Sequence, residues 1–267
     1  MSIYQAVAEL EQRNEAGALC TIVRSQGSTP RHTASKMLVY ADGQTLGSVG
    51  GGELENRVLA AARQALEDGK ARMLNYSMAD PENGDPGICG GQVEVYVEPI
   101  LPRPGLLVIG VGHVGKAVAH LAHWLGFYVM VSDDRPELCT RELIPEADAF
   151  YPVAMAELPE QIKIDRWTAV VLTTRGSDVD VVGLPALLNT QAVYLGVIGS
   201  RRRWETTRRG LVEQGITPEQ LGRVRSPIGL ELNAETPEEI AVSILAEILM
   251  LRHGGHGGEM SKPPKKR

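Results

Sequence analysis

Apolar and polar positions along the chain follow two rhythms that change near residue 100. Before it the pattern is mixed. Ile3, Val7 and Leu10 recur at the spacing of one helical face, behind Ser2, a residue type that caps helices. An apolar run over 18–23 predicts a strand. Two more, over 36–40 and 45–49, flank Ala41-Asp42-Gly43-Gln44, whose Asp-Gly pair predicts a β-hairpin. Leu54, Val58, Ala61, Ala62 and Ala65 predict a helix over 53–66. Strands are predicted over 72–76 and 92–98; the second alternates polar and apolar, as in a sheet with one solvated face.

Beyond residue 100 the pattern changes to continuous apolar runs separated by helical periodicity. Strands are predicted over 106–109, 128–132, 168–173 and 192–197, and helices over 113–125, 180–188 and 201–214. Such alternation implies a parallel sheet covered on both faces. Thr236, Pro237 and Glu239 spell the start of a last helix: a capping threonine, proline in the first turn and the glutamate of a capping box. Ile240, Ile244, Ile248 and Leu251 give it an apolar stripe. The fold class expected is therefore α/β, an N-terminal α+β domain over 1–98 followed by a Rossmann-like parallel-sheet domain over 106–252. Pro99, Pro102, Pro104 and Gly105 make 99–105 a linker. The tail over 253–267 has no core-forming pattern and is expected to be disordered.

Composition narrows the function classes. The net charge is −6, and four of the basic residues crowd the last seven positions, so a general nucleic-acid binder is not expected. No run approaches the ~18–20 apolar residues of a membrane span. The first residues lack the basic start and apolar run of a signal peptide, so a cytoplasmic protein is expected. Three widely spaced cysteines, Cys20, Cys89 and Cys139, do not make a disulfide framework. Glycine fills 29 of 267 positions, above the ~7% of ordinary proteins. That excess points to loops where backbone approaches a ligand, above all a phosphate.

Five loops carry the candidate chemistry. Gly110-Val-Gly112-His113-Val-Gly115 fits G-x-G-x-x-G between a strand and a helix, where backbone N–H groups and the positive helix end suit a phosphate. Asp133 ends the next strand, the place of an acid that holds a ribose hydroxyl, and Arg135 beside it can accept an extra phosphate. His113 is either a ligand contact or a packing residue. Gly50-Gly51-Gly52, followed by Glu53 and Glu55, offers consecutive N–H groups suited to an anion. Gly27-Ser28-Thr29-Pro30-Arg31 adds small hydroxyls and a cation. Gly87-Ile88-Cys89-Gly90-Gly91 sets a cysteine between glycines; a thiolate there suits a soft metal or carries sulfur. Cys20 reads as buried and inert, and Cys139 is ambiguous. Ser200 caps the helix that begins at Arg201. Arg201 is the favoured candidate contact there, whereas Arg202 and Arg203 are open between an anion contact and a solvated or partner-facing basic face.

These loops occur together in one order: GSTPRHTASKMLV, GSVGGGELE, ICGGQVEVYVEP, GVGHVGKAVAHLAHWLGF, SDDRPE, GVIGSRRR and SPIGLELNAETPEEIAVSILAEIL. Over residues 2–252 the chain resembles the xanthine dehydrogenase accessory protein (XdhC/CoxI) family. The resemblance implies a molybdenum cofactor chaperone without turnover of its own. It would bind molybdopterin and cooperate with a cysteine desulfurase that supplies the terminal sulfido ligand. The finished cofactor would go to an apo-molybdenum hydroxylase of the xanthine dehydrogenase type. Arg31, Gly50–Gly52 and Cys89 would close over pterin and molybdenum, with Cys89 as metal ligand or sulfur acceptor. Gly110, Gly112, His113, Gly115, Asp133, Arg135, Ser200 and Arg201 would hold the phosphate end or a dinucleotide. The amphipathic helices fit a homodimer. One loop departs from the family: its usual histidine position, in Thr173-Thr174-Arg175-Gly176-Ser177-Asp178, holds Thr174, while Asp180 matches the acid that follows. The competing readings are an NAD(P)-dependent oxidoreductase, and an interaction scaffold that uses the Arg201–Arg209 face and the basic tail.

Overall fold

A computed structural model describes residues 1–27, 29, 31–77 and 91–261. The chain forms two compact units, Met1–Pro102 and Arg103–Arg267.

The first unit is an antiparallel sheet with a helix against each face. Its elements are α1 (Ile3–Arg13), β1 (Gly17–Gln26), β2 (Lys36–Tyr40), β3 (Thr45–Gly47), α2 (Glu53–Asp68), β4 (Arg72–Ser77) and β5 (Gln92–Ile100), with strand order β3-β2-β1-β5-β4. Ser2 and Gln5 close a reciprocal capping box at the start of α1. Gly43, at φ +88°, takes the left-handed turn of the β2–β3 hairpin that a side chain resists. In β5, Val93, Val95 and Val97 are buried while Gln92, Tyr96 and Glu98 face water. These valines share a face with Ala18, Cys20 and Ile22 of β1, and α2 packs there through Leu54, Val58, Ala62 and Ala65. Leu38 points the other way and packs with Ala6 and Leu10 of α1.

The second unit is a six-stranded parallel sheet. It runs through β6 (Gly105–Ile109), α3 (His113–Trp124), β7 (Tyr128–Ser132), β8 (Ala149–Tyr151), α4 (Leu158–Gln161), β9 (Thr168–Leu172), α5 (Ser177–Leu188), β10 (Tyr194–Val197), α6 (Arg201–Glu213), α7 (Pro218–Leu221), β11 (Val224–Arg225) and α8 (Pro237–Arg252). The strand order is β11-β10-β9-β6-β7-β8, with every pair parallel. The order therefore reverses between β6 and β9, the doubly wound Rossmann arrangement. Leu106 and Val108 face α3 and α8, where Val118, Ala122, Ile244 and Ile248 complete one core. Leu107 and Ile109 face the opposite core with Leu184, Leu187 and Leu211. Burial on both faces is why these strands read as unbroken apolar runs.

Two edge strands, β8 and β11, are not predicted by the sequence pattern. They have three and two residues, too few to show a period, and owe their strand geometry to pairing with β7 and β10. Helix α5 begins three residues before the predicted start, because Gly176 turns in extended geometry ahead of Ser177. Among the described residues no helix is long and apolar enough to cross a membrane.

Candidate functional site

The carboxyl ends of β6, β7 and β9 gather the candidate site of the second unit. The three glycines of the first turn do three different things there. Gly110 has φ +93°, and a Cβ on it would lie 2.8 Å from the Thr173 carbonyl. A Cβ on Gly115 would lie 2.1 Å from the Gly110 oxygen, so this glycine lets α3 close onto β6. Gly112 meets nothing within 4 Å and has an ordinary φ of −67°. Neither packing nor backbone conformation requires a glycine at 112. Its bare backbone caps α3 with no side-chain hydrogen bond. That leaves an open cradle at the positive end of a twelve-residue helix, and its shape and charge suit a phosphate.

Asp133 fixes this loop from β7. Its Oδ2 accepts from the Val111 N–H at 2.9 Å and from Arg135 Nη2 at 3.0 Å. Its Oδ1 accepts from the Arg135 N–H at 3.1 Å and Nε at 2.8 Å. The carboxylate is buried and carries two donors on each oxygen. The sequence expectation of an acid open to a ribose hydroxyl is not met by this geometry; Asp133 instead ties the glycine loop to the next loop. Asp133 in turn raises the Arg135 pKa by direct hydrogen bonding.

Arg175, after β9, reaches across to Asp134 with two bonds, 2.6 and 2.7 Å. The guanidinium holds the Asp134 carboxyl below its ordinary range, and the carboxylate raises the Arg175 pKa. Both pairs border a cavity of about 270 Å³ whose walls come from the loops after β6, β7, β8 and β9 and from the first turns of α5.

Beneath the β9–α5 loop lies a buried polar cluster. The Thr174 hydroxyl donates to Oδ1 of Asp180. Arg203 donates from Nη2 to Asp180 Oδ2 and to Thr174 Oγ1, both at 2.8 Å, and from Nη1 to the Thr174 carbonyl at 3.1 Å. The position the family gives to histidine thus holds a hydroxyl committed to an internal bond. Ser200 caps α6, accepting from the Arg203 N–H at 3.2 Å. Arg201, the arginine that the sequence favours as a contact, is exposed, and the inward-facing one is Arg203, which the sequence leaves open. The missed signal is the buried acid Asp180, whose charge needs a cation from another element.

His113 is exposed and does not border the first cavity. It lines a second one of about 540 Å³ between α3 and α8, with Lys116 and His120. In the first unit, Gly50 and Gly52 have φ +151° and +59°, and Gly51 and Gly52 face open space. Ser48 braces this turn: its hydroxyl donates to Glu55 at 2.6 Å and accepts from the Gly50 N–H at 3.2 Å. Arg31 is exposed, with its carbonyl accepting from the Thr29 hydroxyl. Cys20 is fully buried, which pushes its thiol up to about 12, and burial also raises Cys139, whose Sγ donates to the Val131 carbonyl. Cys89 lies outside the described residues. Among the described residues no group of three or more histidine, cysteine or acidic side chains could hold a metal ion.

Comparison with known proteins gives the following. Residues 106–248 match the XdhC Rossmann domain, and residues 10–77 match the XdhC and CoxI family. The chain is 38% identical over 267 residues to the uncharacterized protein YqeB of Escherichia coli K12, covering 98% of this chain and 48% of that protein. It is 34% identical over 158 residues to a probable xanthine dehydrogenase component of Bacillus subtilis 168, covering 59% of this chain and 46% of that one. Against the molybdenum cofactor insertion chaperone PaoD of Escherichia coli K12 it is 24% identical over 285 positions, covering 94% and 88%. The chain spans about half the length of the first two relatives. A crystal structure of a xanthine dehydrogenase from Bacillus halodurans shares the fold, with a TM-score of 0.51, 22% identity, and coverage of 99% of this chain and 98% of that one.

Proposed function

The chain belongs to the XdhC and CoxI family, and from that premise we propose that it holds the molybdenum cofactor and hands it to a xanthine dehydrogenase-type molybdenum hydroxylase. Similarity to an insertion chaperone along most of both chains supports a role in maturation. The observation that carries the binding role is Gly112: a glycine that neither packing nor a left-handed backbone requires, leaving bare backbone at the N-terminus of α3.

Each residue has a task in this reading. The N–H groups at Gly112 and the first turn of α3 take a phosphate. Asp133 holds that turn in place through Val111, and Arg135 and Arg175 line the neighbouring cavity with charge. Ser200 and Arg201 stand at the end of β10 as further contacts. His113, the first residue of α3, is proposed as a contact from the other side of the turn. In the first unit, Gly50–Gly52 and Arg31 are proposed to meet the pterin, and Cys89 to ligate molybdenum or receive persulfide sulfur from a cysteine desulfurase. When bound, the cofactor supplies the redox-active metal that the client enzyme needs. The chain is proposed to act in the cytoplasm, as a homodimer.

The test is to purify the chain from a molybdenum-replete host, then measure metal by mass spectrometry and pterin by fluorescence. Both are expected to co-purify with the chain. Absence of both overturns the reading.

A further inference from the structure

The cavity beside the Gly110 turn has a floor and a rim of different chemistry. Buried Ile109 and Met155, with half-buried Val153 and Val179, make the floor apolar, while Asp134, Arg135, Arg175 and Asp178 charge the rim and Asp133 is buried. In a doubly wound sheet this is where a nucleoside lies when its 5′-phosphate sits on the first glycine turn, with its ribose against the end of the second strand. An unmodified ribose offers hydroxyl donors and needs an acceptor there. Asp133 offers none, because each of its oxygens already accepts two hydrogen bonds.

Donors stand at the rim instead. Arg135 spends Nε and Nη2 on Asp133, and its Nη1 has no hydrogen-bond partner among the described residues. Arg175 lines the same rim. Both guanidiniums thus line one cavity, and an anion bound there is attracted by each of them. Of the three carboxylates in the lining, Asp133 and Asp134 are each already paired with a guanidinium, and Asp178 comes from the first turn of α5.

We propose that this cavity takes a nucleotide whose ribose carries a phosphomonoester, read by Arg135 with Arg175 beside it, the base lying on the apolar floor. The inference rests on the Gly110 turn being a phosphate site and gives that turn a nucleotide as occupant. Arg135 is then a specificity residue with two effects. It presents donors to the extra phosphate, and it withdraws the acid that would otherwise accept from a ribose diol.

The test uses the full chain and two ligand pairs in calorimetric titration: adenosine 2′,5′-bisphosphate against AMP, and NADP⁺ against NAD⁺. The phosphorylated member of each pair should bind about tenfold more tightly or better, as charge-assisted bonds to a phosphate require. Arg135→Ala should bring the ratio to about one or invert it, because Asp133 becomes available to the diol. The ratio is read within one protein, so a change in stability does not mimic the effect. Equal affinity in the native chain, preference for the unphosphorylated member, no binding of either, or an unchanged ratio in the variant overturns the inference. Molybdenum and pterin content is measured on the same preparation. A flat ratio with both present defeats this inference alone, whereas a clear ratio with neither present defeats the cofactor-holding role alone.

Discussion

Arg203 of α6 donates to the carboxylate of Asp180 in α5 at 2.8 Å, and Asp180 is wholly buried. The same guanidinium bonds the hydroxyl and carbonyl of Thr174, so one side chain joins two helices to the loop that carries Arg175. Removing one member of such a pair leaves the other without its counter-charge. Arg203→Met is therefore expected to lower stability by about 3–5 kcal/mol, measured by denaturant unfolding. The double variant Arg203→Met/Asp180→Leu should recover part of that loss. A loss under ~1 kcal/mol for the single variant would mean that the cluster is not strongly coupled.

Thr207 lies one turn along α6 from Arg203, is fully buried, and its hydroxyl has no hydrogen-bond partner among the described residues. An unpaired buried hydroxyl costs about 1–3 kcal/mol. Thr207→Val keeps the shape and removes that cost, so the variant should melt at the same temperature or higher. A clear fall in melting temperature would show that the hydroxyl has a partner in solution.

Gly112 and Gly115 should separate binding from folding. Gly115→Ala drives a methyl group into the Gly110 carbonyl at 2.1 Å and should cost about 1–3 kcal/mol. Gly112→Ala meets nothing within 4 Å, so its cost should be only the N-cap preference for glycine over alanine, under about 1 kcal/mol. That variant should nevertheless retain less cofactor, and Gly112→Val less still. Thermal melts and cofactor content on the same preparations check both halves. Full retention in Gly112→Val would remove the phosphate role.

The Asp134–Arg175 pair predicts an acid-side effect. The folded pKa of Asp134 is depressed by Arg175, so its contribution to stability is complete above the unfolded value near ~3.9. It is lost as pH falls through the lower folded value. Asp134 is more than one third exposed, so solvent screens the pair and the change is small. Carbon-detected NMR should find the Asp134 carboxyl titrating below ~3.9, and Arg175→Gln should return it to the ordinary range. An ordinary titration in the parent chain would contradict the bidentate geometry.

Thiol chemistry should distinguish the cysteines. Cys20, pushed up to about 12, and Cys139, raised by burial, stay protonated in mildly alkaline buffer and should resist a thiol reagent until the chain unfolds. One label per native chain is expected, at Cys89. Cys89→Ala should abolish it and lower the yield of active client enzyme without changing the melting temperature. Unaltered client activity would show that this thiol is dispensable.

Much of the second unit could be read directly from the chain. Its unbroken apolar runs, each short and set between helical stretches, fit strands buried on two faces. Thr236, Pro237 and Glu239 state where the last helix starts, because capping is a short-range matter. The glycine turn was legible for the same reason. The short strands β8 and β11 were not, since their geometry comes from neighbours distant in sequence.

The residue types at the site were set by the sequence, but their partners were settled by tertiary contact. An aspartate at the end of β7 has the same letter whether it faces a ligand or its own loop, and only the folded chain puts Val111 and Arg135 on its oxygens. Three consecutive arginines open α6 with no local sign of which turns inward. Helical rotation and the buried charge of Asp180 select Arg203 and leave Arg201 in water. Local pattern thus determined the elements, their caps and the place of the glycine turn, because those depend on a few adjacent residues. Which charges are free to meet a ligand was decided by the sheet, which brings together loops far apart in the chain.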